Sequence, residues 1–113
     1  MKKNEHGIPL DRNGYAPSIV DFHSANHCWA CGMNSCLEKL DRHEIFGGPN
    51  RSRSKADGLW VYLHHTKCHE GAQGVHQNPA LRHRLQQVGQ LAAMERYNWT
   101  EDDFRDRYGR SYV

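Results

Sequence analysis

A chain of 113 residues makes one domain, and at 37% apolar residues that domain can bury only a modest core. The formal charge of +2 permits contact with nucleic acid without demanding it. No apolar run approaches the length of a membrane span, and Met1-Lys2-Lys3 leads into polar residues rather than the apolar stretch of a signal peptide. A cytoplasmic protein is therefore expected, with no membrane partner, and its four cysteines are then better metal ligands or thiols than disulfides. Nine histidines point the same way, because imidazole is the commonest metal ligand and a structural metal supplements a small core.

Residues 1–27 are rich in Gly, Pro, Asn and Asp, with Ile19-Val20 their one short apolar run apart from Ile8 and Leu10. They read as an extended, loosely docked amino-terminal arm with turns at Asn13-Gly14 and Ala16-Pro17. Its Lys2, Lys3 and Arg12 are of the right type to touch phosphate.

Cys28-Trp29-Ala30-Cys31-Gly32 has the spacing of a zinc knuckle, in which a tight turn presents two thiolates to one ion. His65 and Cys68 repeat the two-residue gap, so Cys28, Cys31, His65 and Cys68 form a candidate structural zinc site. Cys36 and His64 are the substitutes, although Cys36 also reads as a small buried apolar residue.

A strand is expected from about Leu37–Leu40 to Phe46, ending at Gly47-Gly48-Pro49. Residues 50–55 read as a polar basic loop whose Arg51, Arg53 and Lys55 suit a phosphate backbone. The β-formers of residues 58–63 predict the second strand of a hairpin. A short helix carrying the second knuckle should open near His65 and break at Gly71 and Gly74.

Asn78-Pro79 is a strong helix start, and the helix should run to about Tyr97. Leu81, Leu85, Val88, Leu91, Ala92 and Met94 give it an apolar face, with Gly89 a mild flaw. Arg82, His83 and Arg84 read as a solvated face. Thr100 caps a last helix to about Tyr108, presenting Phe104 and Tyr108 one turn apart.

The order of these features resembles HNH endonucleases of the ββα-metal, treble-clef fold. The run His43-Glu44-Ile45-Phe46-Gly47-Gly48, then Asn50-Arg51, Gly58-Leu59, Cys68-His69 and Gly74-Val75-His76, is similar to small phage-type HNH proteins, including recombination-associated nucleases. The likeness covers residues 28–113. It implies an α+β domain: a zinc-stabilised β-hairpin plus helix, followed by two C-terminal helices. It also implies metal-dependent hydrolysis of DNA phosphodiester bonds, as an endonuclease or nickase of phage or prophage origin acting in a bacterial host cell.

Carried onto this chain, the resemblance places a catalytic divalent metal (Mg2+, Mn2+, Ni2+ or Zn2+) on His43, His69 and His76, beside the structural Zn2+. Aligned on Ile45, Glu44 falls where the family has its histidine base, which is a departure. The other alignment makes His43 the base and puts Arg42, which cannot bind metal, at the ligand position. Asn50, with Asp57 as a rival, matches the residue that pins the loop and orients the base. DNA would be held mainly through phosphates. The competing expectations are a non-catalytic zinc-containing nucleic-acid-binding module and an adaptor for a phage or host protein.

Overall fold

The computed structural model describes residues 2–20, 28–29, 39–65, 69 and 74–113. Cys31, Cys36 and Cys68, and most of the short helix expected after His65, lie outside the described residues. What is described is a small α+β domain. Its strands β1 (Leu40–Glu44) and β2 (Trp60–His64) pair antiparallel, with His43 opposite Val61 and Glu44 opposite Trp60. Between them come a 3-10 turn (Gly48–Asn50) and a short helix α1 (Arg51–Ala56), and after them α2 (Pro79–Tyr97) and α3 (Glu101–Tyr108).

Alternation along β1 sorts its side chains. Asp41 and His43 lie on one face with Leu63 and Val61, both fully buried, while Arg42 and Glu44 share the other with Tyr62 and Trp60. The first face joins the core formed with Ile45, Phe46, Leu85, Ala93, Phe104 and Tyr108. The second is covered by the amino-terminal arm, whose Tyr15 ring meets Trp60 edge-on at 5.4 Å.

Residues 2–20 are docked more firmly than their composition suggests. Trp60 Nε1 donates to the Ala16 carbonyl (2.7 Å), Ser18 Oγ to the Trp60 carbonyl (2.6 Å), and Asn4 Nδ2 to the Ala56 carbonyl (2.6 Å). The Ile19 amide donates to Gly58 (2.9 Å). Gly58 has φ +74°, and a Cβ there would stand 2.4 Å from the Pro17 carbonyl oxygen, so only glycine lets the arm pass.

Two expectations about local structure need correction. Residues 50–55 are not a loop: the 3-10 turn runs directly into α1. Tertiary bonds override weak propensity here, because the buried Ser54 hydroxyl donates to the Leu59 carbonyl (2.5 Å) and accepts from the Phe46 amide (3.2 Å). On α2 the buried residues are Leu85, Gly89, Gln90 and Ala93, whereas Leu91 is 54% exposed. Leu91 lies six residues beyond Leu85, well round the helix from the core stripe. Gly89 is the point of closest approach, since a Cβ there would sit 3.1 Å from two Ile45 side-chain carbons.

The ends of both long helices follow the sequence signals. Asn78 Oδ1 accepts from the Leu81 amide (3.1 Å), and Asn98 closes α2 in the left-handed conformation. Thr100 and Asp103 form a reciprocal capping box at α3. Phe104 and Tyr108 are buried against Phe46, with ring centroids 5.3 and 4.9 Å away.

Candidate metal centre

His43 comes from β1, His69 from the segment after β2, and His76 from the turn preceding α2. Their ring nitrogens converge. His43 Nδ1 lies 3.2 Å and His76 Nε2 lies 2.8 Å from His69 Nε2, and one nitrogen from each residue falls within 4.8 Å of the others. The backbone sets this up locally: the His76 amide donates to the His69 carbonyl (3.3 Å), and Arg82 Nη1 reaches the His76 carbonyl (3.2 Å). Arg82 thus leaves the solvated face assigned to it and anchors the turn that carries His76.

The chemistry of the group suits a divalent ion. Three imidazoles on one side leave further positions open, and His69 is oriented from behind by Asp41, whose Oδ2 lies 3.1 Å from its Nδ1. Burial, then the neighbouring His69 and His76, lower the His43 imidazole to about 3, so it is neutral at physiological pH, as a metal ligand must be. Burial works to raise the Asp41 carboxyl, but hydrogen bonds from His65 and His69 outweigh it and hold it below its ordinary range.

The three histidines sit in a cleft of about 330 Å3 whose rim includes Arg42, Glu44, Gly47 and Arg51. Both oxygens of Glu44 are engaged: Tyr15 donates to Oε2 (2.8 Å) and Arg51 Nε to Oε1 (2.5 Å). Burial, then the Glu44 contact, push the Tyr15 phenol up to about 12, so it remains a donor near neutral pH. Arg42 lies over the Tyr15 ring (4.4 Å) and pairs with Asp11 Oδ2 (2.7 Å). The arm therefore backs two of the cleft's lining residues, Glu44 through Tyr15 and Arg42 through Asp11.

The other expected site residues are distributed as follows. Asn50 does not line the cleft. Its Nδ2 donates to the Tyr108 carbonyl (2.8 Å) and its Oδ1 accepts from Arg53 (3.1 Å), so it pins the turn after β1 to the end of α3. Asp57 is fully buried in a separate cluster with Arg107, Tyr108 and His6, and two oxygens already paired with a guanidinium make it a poor metal ligand. Of the three cations in residues 51–55, only Arg51 borders the cleft, while Lys55 lies over the outer side of Tyr15, 4.8 Å from the ring centre.

Of the four residues expected to bind zinc, Cys28 and His65 are among the described residues. Cys28 is buried, and the Trp29 amide donates to the Tyr62 carbonyl (2.8 Å), which docks this short segment beside β2. His65 Nδ1 is held by Asp41 Oδ2 at 2.5 Å, so Nε2 is the nitrogen it could offer to an ion. The substitute His64 is buried at the end of β2.

Asp41, Tyr15 and Arg82 did not stand out in the sequence. For Asp41 there was a usable signal, because a carboxylate two positions before His43 on a strand must share its face. Tyr15 and Arg82 carry no comparable sign. No protein-family model, no curated protein and no solved structure matches the chain.

Proposed function

We propose that this protein is a metal-dependent DNA endonuclease or nickase of the HNH kind, hydrolysing phosphodiester bonds. The observation that carries the reading is the convergence of His43, His69 and His76 in a cleft rimmed by Glu44 and Arg51. A divalent ion held by these histidines would supply positive charge at the scissile phosphate and its leaving oxygen. Glu44 faces the same cleft and is the proton acceptor for the attacking water. His43, buried against two other imidazoles, is the ligand rather than the base. Arg51, with 64% of its side chain exposed, swings from Glu44 to the phosphate when substrate enters. Zinc on Cys28, Cys31, His65 and Cys68 would brace the end of β2, from which His69 follows. By the resemblance to phage-type HNH proteins, such an enzyme would work in a bacterial host cell, acting on DNA through its backbone and with a phage or host partner for targeting.

The test is cleavage of supercoiled plasmid by the purified chain with Mg2+, Mn2+, Ni2+ or Zn2+, and with chelator as control. Metal-dependent nicking that disappears in His69→Ala, with fold and zinc content kept, supports the enzyme. Unchanged cutting by that variant sinks it. One observation favours a second reading, a non-catalytic zinc-containing nucleic-acid-binding module: both oxygens of Glu44 are already bonded. That reading predicts salt-dependent retardation of DNA without cutting under any metal.

A further inference from the structure

Asp41 touches two histidines that the sequence assigns to different metals. Its Oδ2 lies 2.5 Å from Nδ1 of His65 and 3.1 Å from Nδ1 of His69. The Asp41 side chain is 18% exposed and that of His69 is 12%, so water competes weakly for the His69 contact. An ionised carboxylate can only accept hydrogen bonds, so each Nδ1 must carry a hydrogen. In a neutral imidazole that strips the hydrogen from Nε2 and leaves a lone pair there. For His69 this lone pair faces the two other rings, since Nε2 is the atom that His43 Nδ1 and His76 Nε2 approach.

We propose that Asp41 is a positioning residue that fixes the tautomer of His65 and His69 at once, making Nε2 the coordinating nitrogen of both. The inference rests on the metal-centre reading for its purpose, but its physical content concerns two hydrogen positions and holds without any ion. Histidine in water prefers to carry its hydrogen on Nε2, so the expected form is the less common one and is diagnostic. The shared oxygen also ties the zinc half-site to the cleft. His65 continues from β2, His69 lies four residues on, and the Asp41 carboxylate from β1 clasps both.

The experiment is a long-range proton–nitrogen correlation spectrum of the full chain with its histidines labelled in nitrogen-15, recorded with chelator selective for the weaker metal. In the wild-type protein His65 and His69 should both show the hydrogen on Nδ1. In Asp41→Ala both should move toward the Nε2–H form, with the helical circular dichroism unchanged. The affinity of the cleft for Mn2+ or Zn2+, measured against a competing chromophoric chelator, should fall roughly 10–100-fold. Asp41→Asn, which keeps one accepting oxygen, should fall between. Finding Nε2–H on His69 in the wild-type protein would overturn the proposal even if the variant did not fold. So would Asp41→Ala with unchanged tautomers and unchanged affinity. Wild-type tautomers as expected, in a protein that binds no metal in the cleft, would support the role of Asp41 and remove the nuclease reading instead.

Discussion

Arg107 grips Asp57 with two nitrogens, Nε at 2.6 Å from Oδ2 and Nη2 at 2.9 Å from Oδ1, across fifty residues of chain. Tyr108 donates to the same carboxylate (2.6 Å), and Tyr97 donates to the Asp57 carbonyl (2.6 Å). On the arm side His6 approaches Oδ1 (3.2 Å) while its ring stacks on Tyr97 at 3.9 Å, and Glu5 pairs with Arg107. Removing one member of such a buried pair strands the other without a partner. Asp57→Ala is expected to cost about 3–5 kcal/mol in urea unfolding, with Arg107→Lys losing less. A loss below about 1 kcal/mol for Asp57→Ala would show that the hub is dispensable.

The crossing of the arm over Gly58 gives a second prediction. Alanine there combines a left-handed backbone with a Cβ only 2.4 Å from a backbone carbonyl oxygen. Gly58→Ala should therefore lose at least about 2 kcal/mol and raise amide exchange at Ala16 and Ile19, whose amides bond Lys55 and Gly58. Gly89→Ala is the contrasting case, since its neighbour is the Ile45 side chain and alanine favours the helix. Its net effect should be the smaller of the two, read by the same unfolding curves.

The metal-free protein should weaken in mild acid. His43 takes its proton at about 3 in the fold rather than at 6.5, so between these values the unfolded chain holds the extra proton. Stability is complete above about pH 6.5 and falls as pH drops through that window, by about 1.4 kcal/mol per pH unit for this one group. Unfolding curves in chelator at pH 7, 6 and 5 should show the slope, and His43→Asn should flatten it. A slope unaltered in that variant would assign the acid sensitivity elsewhere.

Cleavage assays on His43 and Glu44 separate two roles that the strand keeps on opposite faces. His43→Ala should lower metal affinity and cleavage together. Glu44→Ala should leave metal affinity intact while removing cleavage. If the Glu44 variant cuts normally, the base is another group. Arg51→Ala should reduce the salt dependence of DNA binding by about one counterion, and Arg53→Ala, lying away from the cleft, by less.

Elements with local signals were legible in the sequence. Asn78-Pro79 and the Thr100–Asp103 capping box mark their helices, and the β-formers around Val61 mark β2. The helix α1 was not legible, because it depends on Ser54 bonding to Phe46 and Leu59 rather than on its own residues. Leu91 was placed on the wrong side because an apolar residue was counted without its angle around the helix. The three histidines of the cleft were grouped through the resemblance to HNH proteins, whereas Tyr15 was not named, since its place beside Glu44 exists only once the arm has docked. Asp57 was weighed as a catalytic rival, and its partners lie too far along the chain for any spacing rule to find.

The Asp57 hub has a consequence for synthesis. Its contacts join residues 5 and 6 to residues 107 and 108, so they cannot form until residue 108 has left the ribosome. Asn50 likewise waits for the carbonyl of Tyr108. A nascent chain holding the histidines but not yet the last helix would lack the clasp that holds the turn after β1 in place. For the nuclease proposed above, this order of events would delay activity until α3 has emerged.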